Sequence, residues 1–159
     1  EMLRSLVGSE MCIRDRPKKL LLNWEYRYPV GQYMLSVPAG LIDKGDWNNP
    51  NALVDTAIRE LKEETGIEVE ESDEIKVVSP CVFSTPGMTD EGNALVYISI
   101  NRDEMPKMNH DGAEGSEVFE GFRLVSKEDA EEYLCKGRDE HGMYYPLFTW
   151  AALMFFMGV

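Results

Sequence analysis

Residues 52–67 constrain the fold most tightly, because they must form a helix with two very different sides. Leu53, Ala57, Ile58 and Leu61 recur at intervals of three and four, the period of one helical face. Gly66 then supplies the left-handed stop, so the spacing predicts a helix over 52–65. Leu61 and Ala57 point into a core. Glu60, Glu63 and Glu64 fall within one turn and project from the other side, with Glu64 expected at an exposed face. Like charges at this spacing cost about 0.2–0.5 kcal/mol per pair. Two arrangements absorb that repulsion. One is a divalent cation held between the carboxylates; the other is a solvated acidic face with a lysine beside it. Ligands that are all oxygen select Mg2+ or Mn2+ over zinc.

The flanking segments read mainly as strands. Residues 20–28 and 33–37 are densely apolar and aromatic, and Pro29-Val30-Gly31 between them is turn chemistry. Pro38-Ala39-Gly40 ends the second strand and opens a loop that runs to about Pro50. Further strands are expected at 75–81, 95–100 and 118–125, with a turn-rich segment at 84–93 and a flexible loop at 105–116. Ser126-Lys127-Glu128-Asp129 has the cap and first-turn acids of a helix start, and Gly137 lies behind that helix. Residues 149–157 form a last apolar helix with Phe148 and Trp150 at its head. It is far below the ~20 residues that span a bilayer, so it belongs in a core or a dimer interface. One mixed α/β domain is the expected fold class.

Composition narrows the function classes. A chain of 159 residues suits one domain, and 43% hydrophobic with 28% charged residues is a globular balance. Sixteen basic residues against 29 acidic ones leave a net charge of −13, which repels phosphate backbones and excludes general nucleic-acid binding. No membrane partner is expected. Three scattered cysteines, Cys12, Cys81 and Cys135, lack CxxC spacing, so the expected setting is reducing and cytoplasmic. With only His110 and His141 as imidazoles, any metal site must rest on carboxylates.

Residues 1–16 show no sustained amphipathic period. The string over residues 5–16, Ser-Leu-Val-Gly-Ser-Glu-Met-Cys-Ile-Arg-Asp-Arg, resembles translated sequencing-adaptor read-through. Residues 1–16 are therefore expected to be a non-native N-terminal segment outside the fold. The folded domain is expected to span 17–159, with its own N-terminus incomplete.

Arg59-Glu60-Leu61-Lys62-Glu63-Glu64-Thr65-Gly66-Ile67 is similar to the C-terminal half of the Nudix box, G-x5-E-x7-R-E-U-x-E-E-x-G-U with U aliphatic, and fills every specified position. The first half departs from the pattern. Family spacing places Gly45 at the glycine but Asn51 at the glutamate. The preferred register takes Gly40, then Asp46 for the glutamate, with twelve residues before Arg59 where the family has seven. A loop absorbs such an insertion at small cost. In the family the first acid braces the arginine, which would give Asp46 to Arg59.

Two flanking segments resemble the ADP-ribose and ADP-sugar pyrophosphatase branch of that family. Glu25-Tyr26-Arg27-Tyr28-Pro29-Val30-Gly31 is similar to its Q-F/Y-R-x-P segment, and Ser84-Thr85-Pro86-Gly87-Met88-Thr89-Asp90-Glu91 to its S-P-G-x-(S/T)-x-E loop. The resemblance implies an α/β/α sandwich with a mixed sheet. It also implies Mg2+-dependent (or Mn2+-dependent) hydrolysis of a nucleoside diphosphate sugar to AMP and a sugar phosphate. Glu60, Glu63 and Glu64 and the carbonyl of Ala39 would be the metal ligands, and Arg27, Leu41 and Gly87 the substrate contacts. The general base would be a loop glutamate, Glu117 ahead of Glu114, with Glu91 a further candidate for metal or base. Trp24 and Trp47 are candidate stacking residues for adenine. A homodimer is implied where the N-terminus is complete. Two rival readings are a Nudix hydrolase of another substrate, such as a nucleoside triphosphate or dinucleoside polyphosphate, and a non-catalytic nucleotide-sensing module.

Overall fold

The computed structural model describes residues 3–13, 16–46, 48–113 and 117–158. The strands are β1 (Leu3–Ile13), β2 (Lys19–Arg27), β3 (Gln32–Ser36), β4 (Ala39–Leu41), β5 (Glu74–Phe83), β6 (Gly92–Arg102) and β7 (Phe119–Val125). The helices are α1 (Ala52–Thr65), α2 (Lys127–Lys136) and α3 (Leu147–Met157), and a short 3-10 turn, Lys44–Asp46, precedes α1. The strands form one mixed sheet in the order β3-β2-β1-β6-β5, with β4 paired to β1 and β7 to β2. The β1–β6 pair is parallel and the other pairs are antiparallel.

Side-chain alternation along β2 divides the core into two layers. Leu20 and Leu22 face α2 and α3 together with Leu35, Val125, Tyr133, Leu153 and Phe156. Leu21 faces α1 with Ala57, Leu61, Val96, Ile98 and Ile100. Burying both sides of a sheet in this way demands apolar residues in succession rather than alternation, and Leu20-Leu21-Leu22 supplies them. The result is the expected α/β/α sandwich. Thr149 fastens α3 to the sheet by donating its hydroxyl to the Leu35 carbonyl at 2.7 Å.

The helix ends follow the sequence signals. Gly66 closes α1 at φ 72°, donating its N–H to Lys62 O at 2.8 Å. Ser126 and Asp129 form a reciprocal capping box at the start of α2. Strands β5 and β6 are longer than expected. On β5 the register shifts on either side of Ser79, next to Pro80, whose ring nitrogen has no hydrogen for a ladder.

Part of the N-terminal segment lies inside the sheet: Leu3–Ile13 forms the strand between β2 and β6 and pairs in register with β6 from Leu3↔Gly92 to Ile13↔Arg102. Met11 is buried in the α1-side core, and Gly8 lies where a Cβ would meet the Tyr97 ring at 3.2 Å. Main-chain groups make the ladder, so a segment without amphipathic alternation still pairs when both neighbours offer open edges. Deleting residues 1–16 should therefore remove cooperative thermal unfolding followed by circular dichroism. A sharp transition from residues 17–159 alone would overturn the placement of β1.

Candidate functional site

Strands β2 and β4 and the third turn of α1 converge on a cavity of about 450 Å³. Arg27, Ala39, Leu41, Glu60, Glu63 and Glu117 all line it, so six residues selected from the sequence meet at one place. Asp43, Arg59, Glu25, Tyr26 and Tyr28 complete much of the wall. The approach of α1 to β4 depends on Gly40, because a Cβ there would collide with the Glu60 carboxylate. Arg27, at the end of β2, lines the same cavity and is ion-paired with Glu25 at 2.6 Å.

Arg59 organises the acids of the helix. Its guanidinium contacts Glu60 at 2.7 Å and Glu63 at 2.9 Å, and donates to the Leu41 carbonyl at 2.9 Å. The bracing acid from the preceding loop is Asp43, at 3.9 Å, rather than the expected Asp46. The 3-10 turn explains this. Asp43 lies two residues beyond Leu41, already within reach of Arg59, whereas the backbone of Asp46 turns on to bond Asp43 O and Asn49 N–H.

Glu64 departs from its expected exposure, being 3% exposed. Its two oxygens accept from Asn23 Nδ2 at 2.6 Å and from the Ala39 N–H at 3.1 Å. Ala39 thus faces Glu64 with its amide, while the residue also lines the cavity. Burial is the main cause that pushes the Glu64 carboxyl up to about 9; the Ala39 amide opposes it, and Glu25, Glu117 and Glu60 add to it. Burial likewise pushes Glu60 to about 7, opposed by Arg59 and reinforced by Glu63 and Glu117. Around this cavity only Arg27 and Arg59, among the described residues, offset that crowd of carboxylates.

No three His, Cys, Asp or Glu side chains among the described residues already close as a metal cage. The donor chemistry nevertheless suits a hard divalent cation. Glu60, Glu63 and Glu64 offer only oxygen, glycine at position 40 lets Glu60 lie against the β4 backbone, and a cation would offset the burial, and the lesser repulsion, that raise Glu60 and Glu64.

Other expected residues lie elsewhere. Gly87 sits in the turn between β5 and β6 and Glu91 just beyond it, and neither lines the cavity. Trp24 is on the far face of β2, packed against the α2–α3 core with its ring 5.1 Å from that of His141. It is a packing residue rather than a stacking platform. Glu114 and Trp47 lie outside the described residues.

Two contributors had not been singled out. Asn23 grips Glu64 across 41 positions of sequence. His110 places Nδ1 2.6 Å from the Glu64 carbonyl and stacks on Phe119 and Phe122 at 4.7 and 4.0 Å. Asn109 N–H donates to Thr65 O at 3.0 Å, and Gly112 lies against the Glu63 backbone, where a Cβ would meet its carbonyl at 2.7 Å. The chain leading toward Glu117 is therefore docked on the last turn of α1. A polar residue at an inward position of β2, next to Leu21, was the only sequence signal of Asn23. His110 had none, since its partners depend on how the loop lies.

A carboxylate helix laid over a mixed sheet, with an arginine-bearing strand across the cavity, defines a domain of the Nudix class. Residues 7–148 match the NUDIX domain model, and the chain belongs to that family. It is similar to the ADP-ribose pyrophosphatase of Saccharomyces cerevisiae, 40% identical over 87 residues that cover 54% of this chain and 33% of that protein. It is also similar to the ADP-sugar pyrophosphatase of Mus musculus, 36% identical over 85 residues, covering 54% and 35%. The chain spans about a third of the length of these curated relatives. A solved binary complex of a Caenorhabditis elegans Ap4A hydrolase shares the fold, with a TM-score of 0.58 over 99% of this chain and 96% of that one at 15% identity.

The raised carboxyls predict a pH dependence. An ordinary glutamate titrates near 4.5, against about 7 for Glu60 and about 9 for Glu64 in the fold. Over that interval the folded state holds more protons than the unfolded one, so stability falls as pH rises from about 5 to 9. Cation-free thermal melts should show that fall, and Glu64→Gln should flatten much of it. An equally steep fall in Glu64→Gln would contradict the burial of this carboxyl.

Proposed function

We propose that this domain hydrolyses the diphosphate bond of ADP-ribose or a related ADP-sugar, with Mg2+ or Mn2+, giving AMP and a sugar phosphate. The observation that carries the reading is the meeting of Arg27 with Glu60, Glu63 and Glu117 around one cavity. The similarity to two pyrophosphatases, of ADP-ribose and of ADP-sugars, supports the same substrate class.

Glu60, Glu63 and Glu64 would hold the cation, which when bound supplies charge neutralisation at the diphosphate and activation of water. Arg27 presents a planar fork of donors to the diphosphate oxygens, a better match to that geometry than a point charge. Binding an anion there asks Arg27 to share or release Glu25, 2.6 Å away. Glu117 accepts the proton of the attacking water as its oxygen bonds to phosphorus and the bridging phosphorus–oxygen bond breaks. Arg59 keeps Glu60 and Glu63 apart and oriented through its contacts of 2.7 and 2.9 Å. Leu41, exposed at the mouth, offers apolar surface to the nucleoside end. The reading includes a reducing, cytoplasmic setting, supported by the free thiols Cys81 and Cys135. It also includes a homodimer, supported by the exposed apolar Leu147 and Trp150 of α3. No helix among the described residues is long and apolar enough to cross a membrane.

Incubation of the purified protein with ADP-ribose and Mg2+ should release AMP. No AMP with either Mg2+ or Mn2+ would overturn the substrate assignment, and turnover of a dinucleoside polyphosphate instead would redirect it. Glu64→Gln should abolish turnover. Glu117→Gln should slow it by about 10²–10⁴-fold with Mn2+ binding retained. A slower Glu114→Gln would move the base to Glu114.

A further inference from the structure

The α1-facing side of β2 breaks its own pattern at one position. Leu21 is wholly buried and apolar, as a covered sheet requires, yet Asn23, two residues on, is also 0% exposed. Its cross-strand neighbours are Ser36 on β3 and Phe122 on β7, so it stands in the interior of the sheet rather than at an edge. Its Oδ1 and the Ser36 hydroxyl are buried without a hydrogen-bond partner among the described residues. A leucine or valine would fill the site without that loss, and a local departure of this kind marks a functional constraint.

The amide has one partner. Asn23 Nδ2 donates to Glu64 Oε2 at 2.6 Å, while the Ala39 N–H donates to Oε1 at 3.1 Å. The carboxylate is thus gripped on both oxygens from β2 and β4, beneath the cavity that Glu60 and Glu63 line from the same helix. We propose that Asn23 is a positioning residue that holds Glu64 in its cation-ligating orientation before the cation arrives. A flexible glutamate would have to be ordered at the moment of binding, at the expense of affinity; a carboxylate already held by two donors binds without that loss. The inference rests on the proposed role of Glu64 as a metal ligand. Asn23 touches neither substrate nor reacting atoms and acts through Glu64 alone.

Mn2+ binding to the full chain without substrate, read by electron paramagnetic resonance of the free ion, tests it. Asn23→Leu keeps the volume and removes the donor. The half-saturating Mn2+ concentration should rise about 10-fold. In steady state kcat should fall and KM for ADP-ribose should hold. Should Asn23→Leu not fold, Asn23→Val, smaller and a strong strand former, carries the same test. In a Glu64→Gln background the Asn23 substitution should cause no additional loss, and a full additional loss would overturn action through Glu64. Unchanged Mn2+ affinity in Asn23→Leu, with weakened affinity in Glu64→Gln, overturns the role of Asn23 alone. Unchanged affinity in Glu64→Gln itself overturns the metal-site reading beneath it.

Discussion

The buried carboxylate of Glu64 is the constraint on which the rest of the site depends. A carboxylate taken out of water is costly unless its oxygens are hydrogen-bonded, and Glu64 meets that demand with donors from β2 and β4. Those two bonds fix the rotation of α1 about its own axis. Glu60, one turn earlier, is then set against Gly40, Glu63 faces Arg59, and Ala57 and Leu61 fall into the core. Functional face and packing face are two results of one orientation.

Charge is arranged around that orientation. The chain carries −13 overall, and the cavity gathers Glu25, Glu60, Glu63 and Glu117 around Arg27 and Arg59. Such a surface opposes an anionic ligand at long range, so attraction has to be local. Under the proposed function, the cation and Arg27 supply that attraction, while Arg59 is committed to the helix acids and the Leu41 carbonyl. The same acids explain why Glu60 and Glu64 resist ionisation, since burial and mutual repulsion act together on both.

Much of the fold was legible because it is written in local rules. The bounds of α1 followed from apolar spacing and the Gly66 stop, and the start of α2 from the Ser126 cap and its first-turn acids. The gathering of Arg27, Ala39, Leu41, Glu60, Glu63 and Glu117 was legible through resemblance to a known motif rather than through any local rule. What escaped notice depends on contacts between distant segments. Asn23 finds Glu64 across 41 positions and His110 across 46, and no periodicity within either segment encodes the pairing. Asp43 replaced Asp46 because a 3-10 turn, rather than residue spacing, decides which loop acid comes within reach of Arg59. Strand β1 escaped because its ladder uses only the backbone.

The sequence by itself determined the amphipathic helix, its three acids, the chain's negative charge and the strands β2, β3, β5, β6 and β7, since each arises from side-chain type and spacing within a few turns of chain. Only the tertiary structure decided that Glu64 is buried rather than exposed, that Ala39 meets it with an amide, and that the loop carrying Asn109, His110 and Gly112 lies along the end of α1. The physical reason is that burial and hydrogen-bond pairing are properties of surfaces brought together. A helix carries its acids wherever it goes, but the sheet beneath it determines which of them remains in water.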